Sequence, residues 1–108
     1  GSLAELRERE IERLYNSGME AIERYHLSRP EEGSALEAAR RMETLSPGRQ
    51  ETAALMAAIR DAYVRLLQAA LLRDDLERAE RYATLAVQLG VSCAIIDEVY
   101  RSADVAAP

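Results

Sequence analysis

Two features of the sequence offer side chains with the types and spacing that metal binding or catalysis needs. Glu23 and His26 have the Glu-x-x-His spacing that places a carboxylate and an imidazole on one helix face, as in di-iron helical bundles. Such sites repeat the motif on a second helix, and this chain has one His. Cys93 is the only Cys, far from His26 in sequence, and no Gly-x-Ser-x-Gly nucleophile pattern is present. We therefore expect no enzyme, no metal site and no cofactor, with Cys93 a small packing residue.

The charged residues are mixed along the chain and are net acidic. All 14 basic residues are Arg, and the formal net charge is −5. Arg7, Arg9 and Arg13 form no basic stripe, because Glu residues are interleaved with them. Such a surface does not attract nucleic acid or an anionic membrane. No apolar run reaches the roughly 20 residues of a membrane span. We expect neither nucleic-acid binding nor membrane insertion.

The composition is typical of an all-α chain. Ala, Leu, Glu and Arg dominate, and apolar residues recur at three- and four-residue spacing, beginning at Leu3. Gly and Pro separate the apolar stripes. The pattern predicts five helices, from about Leu3 to Tyr25, Ser34 to about Leu45, about Arg49 to Leu72, Leu76 to Leu89, and a last helix that begins after Ser92.

The predicted helix boundaries depend on a few capping residues. A Ser or Asp side chain can accept a hydrogen bond from the free amides at a helix start. Gly readily adopts the left-handed conformation that ends many helices. We expect N-caps at Ser34, Ser46, Asp74 and Ser92, and a C-terminal glycine at Gly90.

The first four helices form two hairpins with matching core positions. When the sequences of the two long helices are aligned with each other, Ile11 matches Ile59, Tyr15 matches Tyr63 and Met19 matches Leu67. The two shorter helices superpose Ala35 on Ala79, Ala39 on Ala83 and Leu45 on Leu89. Matching hairpins of this kind are typical of a repeat stack.

The second hairpin resembles a tetratricopeptide (TPR) repeat. Tyr63 stands at the aromatic position, Leu66 and Leu67 at the packing pair, and Ala79 and Ala86 at the two small-residue positions. The first hairpin keeps three of the family's positions, at Tyr15, Ala35 and the closing Pro47. Together the two hairpins cover most of residues 11–92.

The sequence also departs from the TPR pattern. Ala70 replaces the second aromatic residue, Asp74 stands where a turn Gly is usual, and Val91 replaces the closing Pro of the second hairpin. Met42 stands where an Ala is usual in the first hairpin. An antiparallel bundle rich in Ala, with no repeat ancestry, would produce a similar pattern and stays open as an alternative.

The resemblance implies a stack of two antiparallel hairpins with a C-terminal capping helix. It also implies that the inner faces of the long helices line a groove for a peptide or a partner protein. The family's groove positions correspond to Arg13, Asn16, Glu20, Glu23 and Arg24 in the first hairpin, and to Asp61, Val64, Gln68, Leu71 and Leu72 in the second.

A helical assembly module is the competing interpretation. Two hairpins fall short of the three or more repeats that usually stabilise such a stack, and a second copy of the chain could supply the missing burial. The last helix is the element most suited to this role. It carries Ile95, Val99 and Tyr100 on an apolar face, and these residues would form a homodimer contact.

Residues 1–2 resemble an expression scar, residues 3–104 are expected to form one TPR-like domain, and residues 105–108 a frayed tail.

The absence of Lys and Phe indicates a GC-rich genome, because their codons are AT-rich. We expect the chain to belong to a larger bacterial protein, and its single Cys leaves both the cytoplasm and the periplasm open.

Overall fold

The computed structural model describes all residues from 1 to 108. The protein is all-helical with five helices and no strand, which confirms the predicted fold class. The helices are α1 (Leu3–Glu23), α2 (Ala35–Leu45), α3 (Gln50–Leu72), α4 (Leu76–Gln88) and α5 (Cys93–Ser102). The chain forms two compact units, Gly1–Ile59 and Arg60–Pro108, and the boundary between them lies inside α3.

In the first unit, α1 and α2 form an antiparallel hairpin. The Arg41 guanidinium in the second half of α2 lies 3.9 Å from the carboxylate of Glu10 in the first half of α1. At the other end, the Ala35 amide donates a 2.9 Å hydrogen bond to the His26 carbonyl. The start of α2 therefore lies by the end of α1 and its second half by the first half of α1, so the two helices run antiparallel.

The first part of α3 runs parallel to α1. Arg49, just before α3, forms an ion pair with Glu8 near the start of α1. Further along, Gly18 of α1 lies against the side chain of Leu55. The two contacts advance along both helices together, which gives the parallel direction.

The second unit contains a further antiparallel helix pair. The Arg60 side chain reaches the Leu89 carbonyl at 3.5 Å, and the Asp75 amide donates to the Ala70 carbonyl at 2.9 Å. These contacts pair the second part of α3 with α4. The α5 helix then packs on α4 and buries Ile96.

Three of the predicted caps are confirmed. Ser34 accepts a 3.1 Å hydrogen bond from the Glu37 amide, and Ser92 accepts one from the Ile95 amide. Gly90 has a φ of +106° and ends α4.

Two predicted N-caps are wrong. The α4 helix is capped by Asp75, whose side chain accepts from the Arg78 amide. Asp74 instead occupies the left-handed region at φ +57°, where it ends α3. Ser46 ends α2 and accepts a hydrogen bond from the Arg49 side chain.

Four helices end with the same backbone arrangement. In each, a left-handed residue is followed by an amide that bonds to the carbonyl five residues earlier, which satisfies carbonyls left free at a helix end. The left-handed residues are Tyr25, Asp74, Gly90 and Asp104. Only one of the four is a glycine, so most of these ends could not be predicted from glycine positions.

The matched positions of the two hairpins are buried to different degrees. Ile11 and Ile59 are both buried, as are Ala35 with Ala79 and Ala39 with Ala83. The remaining pairs are unequal: Tyr15 and Met19 are half-buried where Tyr63 and Leu67 are buried, and Leu45 is exposed where Leu89 is half-buried. Each unit therefore has its own core, built on small residues of the shorter helix.

The predicted apolar stripe of α1 is uncovered at its start. Leu3 is 81% exposed and Leu6 is 54% exposed. The α2 helix has 11 residues and α1 has 21, so α2 is too short to pack along the whole of α1.

Candidate interaction surfaces

The first candidate surface is the outward face of α1, defined by Arg13, Asn16, Glu20, Glu23 and Arg24. Their three- and four-residue spacing places successive members near one another along the helix. All five side chains are exposed. The structure therefore leaves every predicted contact residue of the first hairpin accessible to a partner.

Arg13 is the one member of this face whose charge is already engaged. Its guanidinium donates to both carboxylate oxygens of Glu10, at 2.5 and 3.0 Å. This hydrogen bonding lowers the pKa of Glu10, with a smaller contribution from the charge of Arg41. Arg13 is thus held in place along α1, while the side chains of Asn16 and Glu20 have no hydrogen bond or ion pair.

The second candidate surface is the outward face of α3, defined by Asp61, Val64, Gln68 and Leu72. Asp61, Gln68 and Leu72 are exposed and Val64 is half-buried. Leu72 is 84% exposed, and burying a leucine fully contributes about 2 kcal/mol. This face combines polar groups with an accessible apolar side chain.

Leu71 is the exception among the predicted groove residues. It is only 5% exposed and packs in the core of the second unit. Its neighbour Leu72 is rotated by about 100° around the helix axis and lies in solvent. Leu71 is therefore a core residue and is not accessible to a partner.

Leu76 is an accessible residue that the sequence pattern did not single out. It is 49% exposed at the first position of α4, directly after the turn that follows Leu72. The exposure arises because Leu76 lies at the end of the helix, so no sequence signal marked it.

The predicted self-association residues of α5 differ in their exposure to solvent. Ile95 is 50% exposed, whereas Tyr100 is only 3% exposed and Val99 is half-buried. Burial raises the pKa of the Tyr100 phenol, with a smaller contribution from the charge of Glu80. Of the three residues, only Ile95 is exposed and could contact a second copy.

The residues that could act in catalysis or metal binding are all exposed. Glu23 ends α1 and His26 follows in the exposed turn, so both are solvated. Cys93 is exposed as the first residue of α5, so the prediction that it is a packing residue is wrong. No group of three or more His, Cys, Asp or Glu side chains is placed to hold a metal ion.

A surface cleft of about 490 Å³ lies between Glu10 of α1 and the outward side of α2. Its charged lining consists of two arginines, Arg40 and Arg41, and two glutamates, Glu10 and Glu37. The opposite charges balance, so the cleft has no net charge to attract an ion.

Comparison with known proteins identifies no family for this chain. It matches no protein-family model, no curated protein and no solved structure. None of the five helices is both long and apolar enough to cross a membrane.

Proposed function

We propose that this chain is a non-catalytic, TPR-like interaction domain that binds a peptide or a partner protein. In this proposal the contacts are made by the outward faces of α1 and α3. The observation that carries the proposal is the accessibility of these faces: nine of the ten predicted contact residues are exposed or half-buried, and Leu71 alone is buried.

The burial of small residues at corresponding positions supports the TPR-like part of the proposal. Ala35 and Ala79, at the first small-residue position of each hairpin, both have no exposed surface. Small side chains at such positions let paired helices approach closely. Ala35 lies in the first unit and Ala79 in the second.

The chemistry of the two faces supports peptide or protein binding over a small-molecule site. Asn16, Glu20, Asp61 and Gln68 have no side-chain hydrogen bond or ion pair, so they are free to orient a partner's backbone or charged groups. Leu72 offers an exposed apolar contact. Binding energy at protein interfaces comes mainly from a few buried apolar or aromatic anchors, with polar contacts around them.

The proposal assigns no catalytic role to the chain. A cysteine nucleophile needs a base within hydrogen-bond reach, and the Cys93 thiol makes no hydrogen bond. His26 is solvated beyond the end of α1. Neither residue has the partner that activation requires.

Selection from a random peptide library displayed on phage tests the proposal. A selected peptide is titrated into isotopically labelled protein, and the backbone amide shifts are followed by NMR. We expect the largest shifts at Asn16, Glu20, Asp61 and Gln68. Shifts confined to α2, α4 or α5, or the absence of any enriched peptide, would contradict the proposed binding faces.

The alternative function is a helical assembly module, and the exposed apolar residues are the observation that favours it. Ile95 is 50% exposed on α5, and a second copy could cover it. Light scattering across a wide concentration range measures the solution mass. A dimer that Ile95→Glu converts to a monomer supports assembly through α5, whereas a monomer at every concentration removes this alternative.

A further inference from the structure

We draw no further inference here: the strongest candidate, the surface cleft between Glu10 of α1 and the outward side of α2, has a lining of balanced charge and nothing in the structure shows what covers it.

Discussion

Gly18 of α1 lies directly against Leu55 of α3. A Cβ atom added at Gly18 would be 2.6 Å from Cδ2 and 2.9 Å from Cδ1 of Leu55, and 3.3 Å from the Cβ of Ala38. Leu55 has no exposed surface, so its side chain has little room to move away. The missing side chain of Gly18 is therefore what lets α1 and α3 approach closely in the first unit.

We expect Gly18→Ala to destabilise the protein. Replacing a mid-helix Gly by Ala normally gains about 1 kcal/mol of helix propensity. Overpacking a closed core costs about 1–3 kcal/mol, and the contact with Leu55 should make this cost exceed the gain in propensity. The free energy of unfolding, measured with urea, should fall by about 1 kcal/mol.

Repeating the substitution in a Leu55→Ala variant separates the effect of the Leu55 contact from that of helix propensity. Leu55→Ala leaves a cavity and should cost about 2–5 kcal/mol. Adding Gly18→Ala to that variant should restore part of the loss, because the new methyl group enters the vacated space. Ser17→Ala, on the exposed neighbour, is the matched control. If Gly18→Ala stabilises the protein with Leu55 intact, the close packing of α1 against α3 is wrong.

The buried hydroxyl of Thr52 gives a prediction of opposite sign. Thr52 is 6% exposed, and its Oγ1 has no hydrogen-bond partner. A buried polar group without a partner costs about 1–3 kcal/mol. Thr52→Val keeps the branched shape and removes that group, so the free energy of unfolding should rise by about 1 kcal/mol.

Thr44 provides the control for Thr52. Its hydroxyl is exposed and donates to the Arg40 carbonyl at 3.1 Å, so Thr44→Val should change the stability by less than about 0.5 kcal/mol. Equal effects of the two substitutions would contradict the unpaired state of the Thr52 hydroxyl.

Adjacent leucines test which side of α3 is buried. Leu71 is 5% exposed and Leu72 is 84% exposed. Leu71→Ala should lower the free energy of unfolding by about 2–5 kcal/mol, and Leu72→Ala by less than about 0.5 kcal/mol. Thermal or urea unfolding of the two variants checks this, and similar losses for both would show that Leu72 is not a surface residue.

The free energy of unfolding should fall at alkaline pH as the phenol of Tyr100 ionises. Burial, and to a smaller degree the charge of Glu80, raises the pKa of the Tyr100 phenol above its ordinary value. The folded protein favours the neutral phenol. The stabilising contribution of the neutral Tyr100 is therefore complete below the pKa of tyrosine in the unfolded chain, about 10. It is lost as the pH rises from there through the raised pKa.

Tyr100→Phe removes this titration. Urea unfolding between pH 8 and 11, in steps of about half a unit, should show a steeper loss of stability for the wild type than for Tyr100→Phe. Tyr25→Phe, at an exposed tyrosine, is the control and should follow the wild type. Parallel profiles for the wild type and Tyr100→Phe would mean that burial of Tyr100 does not disfavour its ionisation.

The helices could be predicted because their local signals agree. Ser34 and Ser92 each precede an amphipathic segment, and Gly90 follows one. At Asp74 and Asp75 the signal is ambiguous, because either carboxylate could cap α4. The choice depends on the backbone: Asp74 adopts the left-handed conformation that ends α3, which leaves Asp75 at the capping position.

The candidate site could be predicted only in part, because exposure depends on what lies beside each helix. Residue spacing predicts which side chains share a face, and this was enough for Asn16, Glu20 and Gln68 to be placed in solvent. Leu71 and Tyr100 were predicted as contact residues but are buried. Gly18 carries no sequence sign of its contact with Leu55, since a mid-helix Gly is equally compatible with an open surface.

The most direct test of the proposed binding faces is the affinity of a library-selected peptide for matched variants. Fluorescence anisotropy compares the wild type with the double variant Glu20→Arg and Gln68→Arg, which changes both proposed faces. The control carries Glu31→Arg and Gln88→Arg, at exposed positions outside these faces. We expect at least about a tenfold loss of affinity for the first variant and little change for the control. Equal affinity for all three proteins would contradict binding through α1 and α3.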